Sequence, residues 1–371
     1  AIPWPRAPLW FNGSWLAKLG ITKLPDTLDE FHNLLVRFRD EDPNGNGKKD
    51  DIPLTGSTLD NPLNGLRPWL ITAFGLLGND IEVHDGKVSF APIENSFKEW
   101  VTYMHQLYSE GLIDKEMFTQ SESNLTAKGA ANQVGLFPAW YSFQVTGQTE
   151  DQALQNPMIS PLVKSADQKK MTVGTTGMAP GAFMVTKGTQ NAAALVRWVD
   201  YFYSSEGFLY INQGPAGSLW EYKTDSKGEK VRVYKSDLSE DQAEEKRGHI
   251  TPDYGVVVPG CEIYLPQIRN SADDSKADDF QSFIKNEAKV KDSDYAALPY
   301  PSLFLSEEQS DIVNQIKVDL QTYVENMEAK FVTGAADINS QWDTYIATIQ
   351  KMNIDAYIKA YQDAYDVWAK K

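Results

Sequence analysis

Apolar residues recur at helical spacing in several stretches of the chain. The clearest stretch is 27–41, where one helical face carries Leu28, Phe31, Leu34, Leu35 and Phe38. Thr27 and Glu30 form a T-x-x-E capping box, which predicts that this helix begins just after Pro25. The same spacing predicts further helices at 94–109, 190–204, 306–331 and 337–368.

Short apolar runs with turn residues on both sides predict buried strands at 133–140, 181–187 and 254–260. Strands that alternate with helices favour an α/β architecture with mostly parallel sheets. Residues 222–237 predict a surface hairpin that turns at Lys227-Gly228, and residues 271–280 are typical of a solvated acidic stretch.

Composition narrows the class of protein. The 371 residues, 42% hydrophobic, can form one large two-lobed body or two domains. Thirty-five Lys and Arg against fifty-one Asp and Glu give a net charge of -16. This charge argues against nucleic acid and anionic lipid as partners and leaves neutral or cationic small molecules as possible ligands. The single cysteine, Cys261, excludes an internal disulfide. Every apolar stretch is shorter than the roughly 20 residues of a membrane span.

Residues 42–51, DPNGNGKKDD, follow the first predicted helix and match the EF-hand pattern D-x-[DN]-x-[DN]-G. Position 12 is Pro53 and not the usual Glu, so the loop is shortened. Carboxylate, amide and backbone oxygens could still supply the roughly six to eight ligands that Ca²⁺ prefers. The expected ligands are Asp42, Asn44, Asn46, the Lys48 carbonyl, Asp50 and Asp51.

The alternative for this loop is a polar turn, because Asp, Asn and Gly dominate turns in general. A single loop with no partner EF-hand favours a structural ion over a regulatory one. We therefore expect Ca²⁺ as a structural cofactor.

The segment from LWFNGSW to DDIPLTG, residues 9–56, resembles the family 1 extracellular solute-binding proteins of bacterial ABC sugar importers. The similarity is to the large lipoprotein branch that includes alginate-oligosaccharide-binding proteins, in which D-P-N-G-N-G-K-x-D-[DE]-I-P is the calcium loop. It continues through VGLFPAW (134–140), GTTGMAPGAFMVTK (174–187), YINQGPAGSLWEY (210–222) and the C-terminal helices.

The resemblance implies an α/β, type II periplasmic-binding-protein-like fold of two lobes joined by crossover strands. By this analogy 1–172 and 239–371 form the second lobe, and 173–238 belong to the first. Family members carry a long segment before a strand like AIPWPRAP, so this chain is expected to be a mature form or fragment with an incomplete first lobe. The implied role is that of a monomeric, non-catalytic oligosaccharide-binding subunit, lipid-anchored outside the cell, that delivers its ligand to ABC permease subunits.

Sugar recognition uses flat apolar faces together with planar polar groups, so Trp and Tyr near strand ends are the first candidates. Trp140 could stack on a sugar or lie in the core, and Trp69 could serve a ligand loop or be buried by a helix after Pro68. The ligand candidates are Trp4, Arg6, Trp10, Asn64, Arg67, Trp69, Trp140, Tyr141, Trp220 and Glu221. Helical spacing predicts packing for Trp15, Trp100, Trp198, Trp342 and Trp368.

Catalytic signatures are sparse. The four His form no H-E-x-x-H motif, and no G-x-S-x-G, P-loop or dinucleotide fingerprint is present. A calcium-containing glycoside hydrolase or carbohydrate-binding module remains the alternative, because a hydrolase needs only a carboxylate pair ~5–9 Å apart. A calcium-regulated interaction module is a third, weaker alternative.

Overall fold

The computed structural model describes residues 2–3, 7–56, 62–177, 181, 183–238, 245–246, 248–250, 268–269, 272 and 280–370. The chain divides into two units, one of Ala1–Met178 with Ile284–Lys371 and one of Ala179–Phe283. The assignment of 1–172, 173–238 and 239–371 to two lobes stays a prediction. Trp4, Arg6 and the predicted strand 254–260 lie outside the described residues.

The first unit carries most of the described strands. They are β1 (Ile2–Pro3), β2 (Leu9–Phe11), β3 (Ile52–Leu54), β4 (Ile81–His84), β5 (Lys87–Phe90), β6 (Val134–Pro138), β7 (Thr172–Thr175) and β10 (Ala296–Ala297). One sheet has the order β2-β6-β3, another β1-β7-β10, and β4 and β5 form a hairpin.

The expectation of mostly parallel sheets was wrong. The central strand β6 runs antiparallel to β2 and parallel to β3, and β7 runs antiparallel to β1 and parallel to β10. The error has a physical reason, because a strand buried on both faces shows the same apolar run in either orientation.

The first unit also contains helices. They are α1 (Gly13–Lys18), α2 (Leu28–Asp40), α3 (Arg67–Leu70), α4 (Asn95–Ser109), α5 (Glu122–Ala130), α6 (Phe143–Thr146), α7 (Glu150–Ala153), α11 (Glu307–Thr333), α12 (Ile338–Lys351) and α13 (Ile354–Ala369). The Thr27–Glu30 capping box is confirmed at the start of α2. The predicted helical stretch 337–368 is two helices, because Asn353 adopts a left-handed φ of 61° between them.

The second unit contains α8 (Ala192–Tyr201), α9 (Ser205–Gln213) and the hairpin of β8 (Trp220–Thr224) with β9 (Lys230–Tyr234). The predicted hairpin is confirmed, and Gly228 has the positive φ of 81° that its turn requires. Helix α10 (Phe280–Lys291) contains the junction at which the chain returns to the first unit.

The predicted strand at 181–187 was wrong, since its described residues 181 and 183–187 form a turn and irregular chain. Met184 is 77% exposed there, so the apolar run that suggested a buried strand does not lie in a core. Among the described residues, no helix is long and apolar enough to cross a membrane.

The main core lies in the first unit and confirms the packing role of Trp15, Trp100 and Trp342, which are buried. The same prediction was wrong for Trp198 and Trp368, which are 44% and 38% exposed. Helical spacing shows which residues share a face, but it does not show whether another element covers that face.

Candidate functional site

The loop 42–51 leaves the C-terminal end of α2 in a tightly curved conformation. Asp42, Gly45 and Gly47 all have positive φ, at 48°, 74° and 73°. The Asp42 carboxylate accepts hydrogen bonds from the backbone N–H groups of Asn46 and Gly47, both at 3.1 Å. These bonds fold the loop back on its first residue, so its oxygen-bearing side chains converge.

Asp50 accepts hydrogen bonds from the side-chain amides in and near the loop. Its carboxylate accepts hydrogen bonds from the side-chain amides of Asn46 at 2.9 Å, Gln133 at 2.9 Å and Asn44 at 3.2 Å. The hydrogen bond from Asn46, followed by that from Gln133, lowers the pKa of Asp50, so this group stays ionised near neutral pH.

Asp51 stands in the opposite environment. Both of its side-chain oxygens are buried and have no hydrogen-bond partner. Burial raises the pKa of Asp51 to about 6, and the negative charges of Asp42 and Asp50 add to the rise. The backbone N–H of Asn44 offsets part of it without reaching hydrogen-bond geometry. A cation is the partner that would resolve this orphaned carboxylate.

The donor set of the loop mixes oxygen types. Within the described ranges, no group of three or more His, Cys, Asp or Glu side chains is arranged to hold a metal ion. The predicted site would draw on two amide side chains and a backbone carbonyl as well as carboxylates. Such a hard-oxygen set suits Ca²⁺ and is poor in the nitrogen and sulfur ligands of Zn²⁺.

A second candidate region is the edge at which the parallel strands of the β2-β6-β3 sheet end. Strand β3 ends at Leu54, whose carbonyl accepts a hydrogen bond from the N–H of Asp114 at 2.8 Å. Strand β6 ends at Pro138, two residues before Trp140. In open α/β sheets ligands bind outside the carboxyl ends of the strands, so this edge is the place to look for a ligand site.

Trp140 and Tyr141 lie at this edge and keep exposed aromatic surface. Trp140 is 58% exposed, an unusual state for an indole and one that leaves its ring available for stacking. Tyr141 is partly buried and stacks on Phe143 at 5.3 Å with an interplanar angle of 13°. Their position matches the predicted role, which stays a prediction.

Three other aromatic candidates are packed inside the protein. Trp10 is fully buried, and its indole N–H donates to the carbonyl of Ala139 at 2.8 Å. Trp69 is 7% exposed, as the burial alternative expected. In the second unit Trp220 is 3% exposed. We leave these three out of the proposed ligand site, because no ring face is free for a sugar.

The polar candidates have different surroundings. The Arg67 guanidinium is buried between Glu328, to which it donates a hydrogen bond, and Asp80 at 3.6 Å. Glu221 is partly exposed and pairs with Lys223 at 3.1 Å. Asn64 lies in the 3-10 turn Pro62–Gly65, which follows strand β3 in the sequence. Arg67 is therefore occupied, whereas Glu221 and Asn64 remain predictions.

Sequence reasoning missed a polar network at the same sheet edge, formed by Thr55, Asp114, Gln120 and Lys128. Three of these side chains are buried, and Lys128 is 15% exposed. Their positions span 74 residues of sequence and match no motif, since hydrogen bonds between distant residues bring them together. The only local signal is that Thr55 directly follows the short apolar run Ile52–Leu54.

The chain is similar to known proteins over most of its length, although no protein-family model matches it. It is 26% identical over 377 residues to the fructooligosaccharide ABC transporter substrate-binding protein FusA of Streptococcus pneumoniae serotype 4 (strain ATCC BAA-334 / TIGR4), which covers 96% of this chain and 65% of FusA. It is 25% identical over 231 residues to lipoprotein LipO of Bacillus subtilis (strain 168), which covers 59% of this chain and 45% of LipO. The chain thus spans less than two thirds of the length of both relatives.

Solved structures show the same fold. The S. pneumoniae FusA complex with kestose has a TM-score of 0.75 and 25% identity, covering 100% of this chain and 77% of that one. A FusA EF-hand mutant in complex with fructo-nystose has a TM-score of 0.74 and 24% identity, with the same coverage. The alginate-binding protein AlgQ2 without calcium ion has a TM-score of 0.70 and 20% identity, covering 98% and 74%. These matches confirm the predicted fold class, though not the predicted incomplete first lobe.

Proposed function

We propose that this chain binds an oligosaccharide for import and catalyses no reaction. The premise is that its homologues are substrate-binding proteins of sugar ABC transporters. The observation that carries the proposal is the 26% identity to a fructooligosaccharide-binding protein across 96% of the chain. The homologues are binding proteins and not enzymes, which favours this role over the glycoside hydrolase. Proteins of this fold bind ligands between two lobes, and closure excludes water.

In this proposal the sheet edge supplies part of the binding surface. The exposed face of Trp140 suits the C–H side of a sugar ring, and Tyr141 beside it offers a hydroxyl. Two cations of the first unit, Arg67 and Lys128, are both paired with carboxylates. Neither is available for an anionic sugar, so we expect a neutral saccharide, in agreement with the net charge of -16.

We propose that the loop 42–51 holds a structural Ca²⁺. The support is the orphaned carboxylate of Asp51 together with the convergence of oxygen ligands. The residues that would hold the ion are Asp42, Asn44, Asn46, the Lys48 carbonyl, Asp50 and Asp51. A bound Ca²⁺ would offset two of the three negative charges of Asp42, Asp50 and Asp51 and would fix the exit of α2. The EF-hand of FusA and the calcium ion named for AlgQ2 indicate that related chains carry such sites.

The partners and location follow from the same proposal. A solute-binding component works with permease subunits of an ABC transporter, and we propose that this chain acts as a monomer outside the cell membrane. The similarity to a lipoprotein supports attachment of the full-length protein by a lipid anchor.

Isothermal titration with kestose, nystose and a panel of neutral and uronic-acid oligosaccharides tests the function. We expect saturable binding of a neutral oligosaccharide and quenching or a spectral shift of tryptophan fluorescence. A parallel assay of reducing ends on the same mixtures should show no release. Binding accompanied by hydrolysis would overturn the transport role in favour of the hydrolase, and binding of none of the sugars would contradict both.

A further inference from the structure

The segment that carries the two aromatic candidates of the sheet edge is short and is fixed at its first residue. It runs from Ala139 to Ser142 and connects β6 with α6. The N–H of Ala139 donates to the carbonyl of Pro8 at 3.1 Å. The carbonyl of Ala139 accepts from the indole N–H of the fully buried Trp10 at 2.8 Å. Both backbone groups of the residue directly before Trp140 are therefore held by residues from the start of the chain.

The last residue of the segment is fixed by a buried side-chain network. Ser142 and Asn156 are both 0% exposed. Asn156 Nδ2 donates to the Ser142 hydroxyl at 3.1 Å and to Gln148 Oε1 at 2.7 Å, and Asn156 Oδ1 accepts from the backbone N–H of Gly13 at 2.9 Å. The amide of Asn156 is thus used on both sides and joins Ser142 to the first residue of α1.

Tyr141 is held directly as well. Its N–H donates to Gln144 Oε1 at 3.2 Å, and its carbonyl accepts from the N–H of Gln144 at 3.1 Å. The carbonyl of Ser142 accepts from the N–H groups of Val145 at 3.2 Å and Thr146 at 3.1 Å. The backbone on the C-terminal side of Trp140 is therefore fixed onto the first turn of α6.

The position of Trp140 between these two attachments suggests what they do. Its indole is 58% exposed, so the backbone on either side contributes more to its direction than packing around the ring does. A buried network in which every group is paired is rigid, and a binding residue that is fixed in advance loses less entropy when its ligand binds. Stacking on a sugar needs such a preset ring face.

We infer that Trp10, Ser142 and Asn156 are positioning residues, which hold Trp140 and Tyr141 in the orientation that stacks on the sugar. This inference rests on the proposed function for its ligand. The alternative is a network that only stabilises the fold.

Two variants loosen the segment from opposite ends. Ser142→Ala removes the hydroxyl that accepts from Asn156, and Trp10→Phe removes the N–H that donates to Ala139 while it keeps an aromatic ring in the core. We expect each variant to raise the Kd for kestose, or for the panel sugar that binds most tightly, at least about fivefold. Ser109→Ala, which removes a hydroxyl at the exposed end of α4, is the matched control and should stay within about twofold.

A double-substitution cycle separates positioning from stabilisation of the fold. If Ser142 acts through Trp140, Ser142→Ala should change the Kd by less than about twofold when Trp140→Ala is already present. An effect of the same size in both backgrounds would overturn the inference. A Ser142→Ala variant that melts earlier but keeps its Kd would overturn it as well.

Amide hydrogen exchange of peptides covering 138–143, without sugar, gives a readout that needs no ligand. We expect faster exchange there in Ser142→Ala and Trp10→Phe than in Ser109→Ala, with unchanged exchange in α12. Equal exchange in all three variants would overturn the inference. If the unaltered protein binds no sugar, the proposed function fails, and the exchange result alone decides the positioning role. It also decides if Trp140→Ala binds too weakly for the cycle, and if one of the two variants does not fold, the other is judged by the same criteria.

Discussion

Replacing Asp51 by Asn removes a buried negative charge and keeps the size of the side chain. The two Asp51 side-chain oxygens have no hydrogen-bond partner and lie near the charges of Asp42 and Asp50. The substitution should therefore stabilise the ion-free protein. In the presence of Ca²⁺ the same substitution removes a proposed ligand, so the stabilisation by calcium should shrink.

The size of the first effect follows from the pKa of Asp51. Its rise from 3.8 to about 6 is equivalent to roughly 3 kcal/mol of unfavourable free energy in the ionised form. The residue is only partly covered, and solvent screening reduces this to about 1–2 kcal/mol. At roughly 2 °C per kcal/mol for a protein of this size, Asp51→Asn should melt about 2–4 °C higher than the unaltered protein in EDTA.

The second effect follows from linkage. Free Ca²⁺ at 100 times its Kd stabilises a protein by about 2.7 kcal/mol, and at only about three times Kd by about 0.8 kcal/mol. If Asp51→Asn weakens calcium binding about 30-fold, its gain in melting temperature on adding calcium falls to about a third of that of the unaltered protein. The assay is differential scanning fluorimetry or calorimetry, in EDTA and in a calcium series at one pH.

Asp151→Asn, on the exposed first turn of α7, is the matched control and should change neither measurement. The reasoning is refuted if Asp51→Asn is less stable than the unaltered protein in EDTA and still gains as much from calcium. In that case the loop is the polar turn of the alternative interpretation, and Asp51 is part of its packing.

Three further predictions concern the ligand edge and the core. Trp140→Ala should weaken oligosaccharide binding at least tenfold, and it should shift the melting temperature by less than about 2 °C because the indole is 58% exposed. Titration measures the first effect and thermal unfolding the second, and the control variant Trp368→Ala should bind normally. Asp292→Asn should flatten the pH dependence of stability. Burial raises the pKa of Asp292 from 3.8 to about 7, so the contribution of Asp292 to the free energy of unfolding is fully present below about pH 4 and is lost as the pH rises through 7. Solvent screening limits this loss to roughly 2 kcal/mol, which denaturation at pH 5 and at pH 8 measures. Arg67→Leu should destabilise the protein by about 3–5 kcal/mol in urea unfolding, because it leaves the buried Glu328 carboxylate without a cationic partner and with only the hydrogen bond from the Trp100 indole; a loss below 1 kcal/mol would contradict this.

Local features of the structure were predictable from the sequence. The capping box of α2, the hairpin turn at Gly228 and the curved loop 42–51 each depend on residues within about ten positions of one another. Their physical causes are local as well, namely a side chain that accepts from a nearby N–H or a glycine that tolerates positive φ. A short window of sequence therefore contains the whole determinant.

Strand orientation and the burial of the aromatic residues were less predictable from the sequence. Trp10 was a ligand candidate, yet its indole N–H donates to the carbonyl of Ala139, 129 residues away. Trp69 donates to the carbonyl of Ala7, 62 residues away. Trp198 lies on a helical face that predicted packing, but the described structure leaves it 44% exposed. Whether an aromatic ring is exposed for binding depends on whether a distant segment of the chain covers it. Hydrophobic periodicity carries no information about such segments.

This contrast bears on how the two parts of the function depend on the fold. The proposed calcium loop would draw its ligands from the ten consecutive residues 42–51, so its ion affinity should survive changes elsewhere that keep α2 intact. The proposed sugar-binding edge combines the ends of β3 and β6, whose paired residues Leu54 and Leu136 are far apart in the sequence. Trp140→Ala should therefore alter sugar affinity and leave the calcium gain in melting temperature unchanged. Loss of both together would mean that the loop and the edge form one cooperative unit.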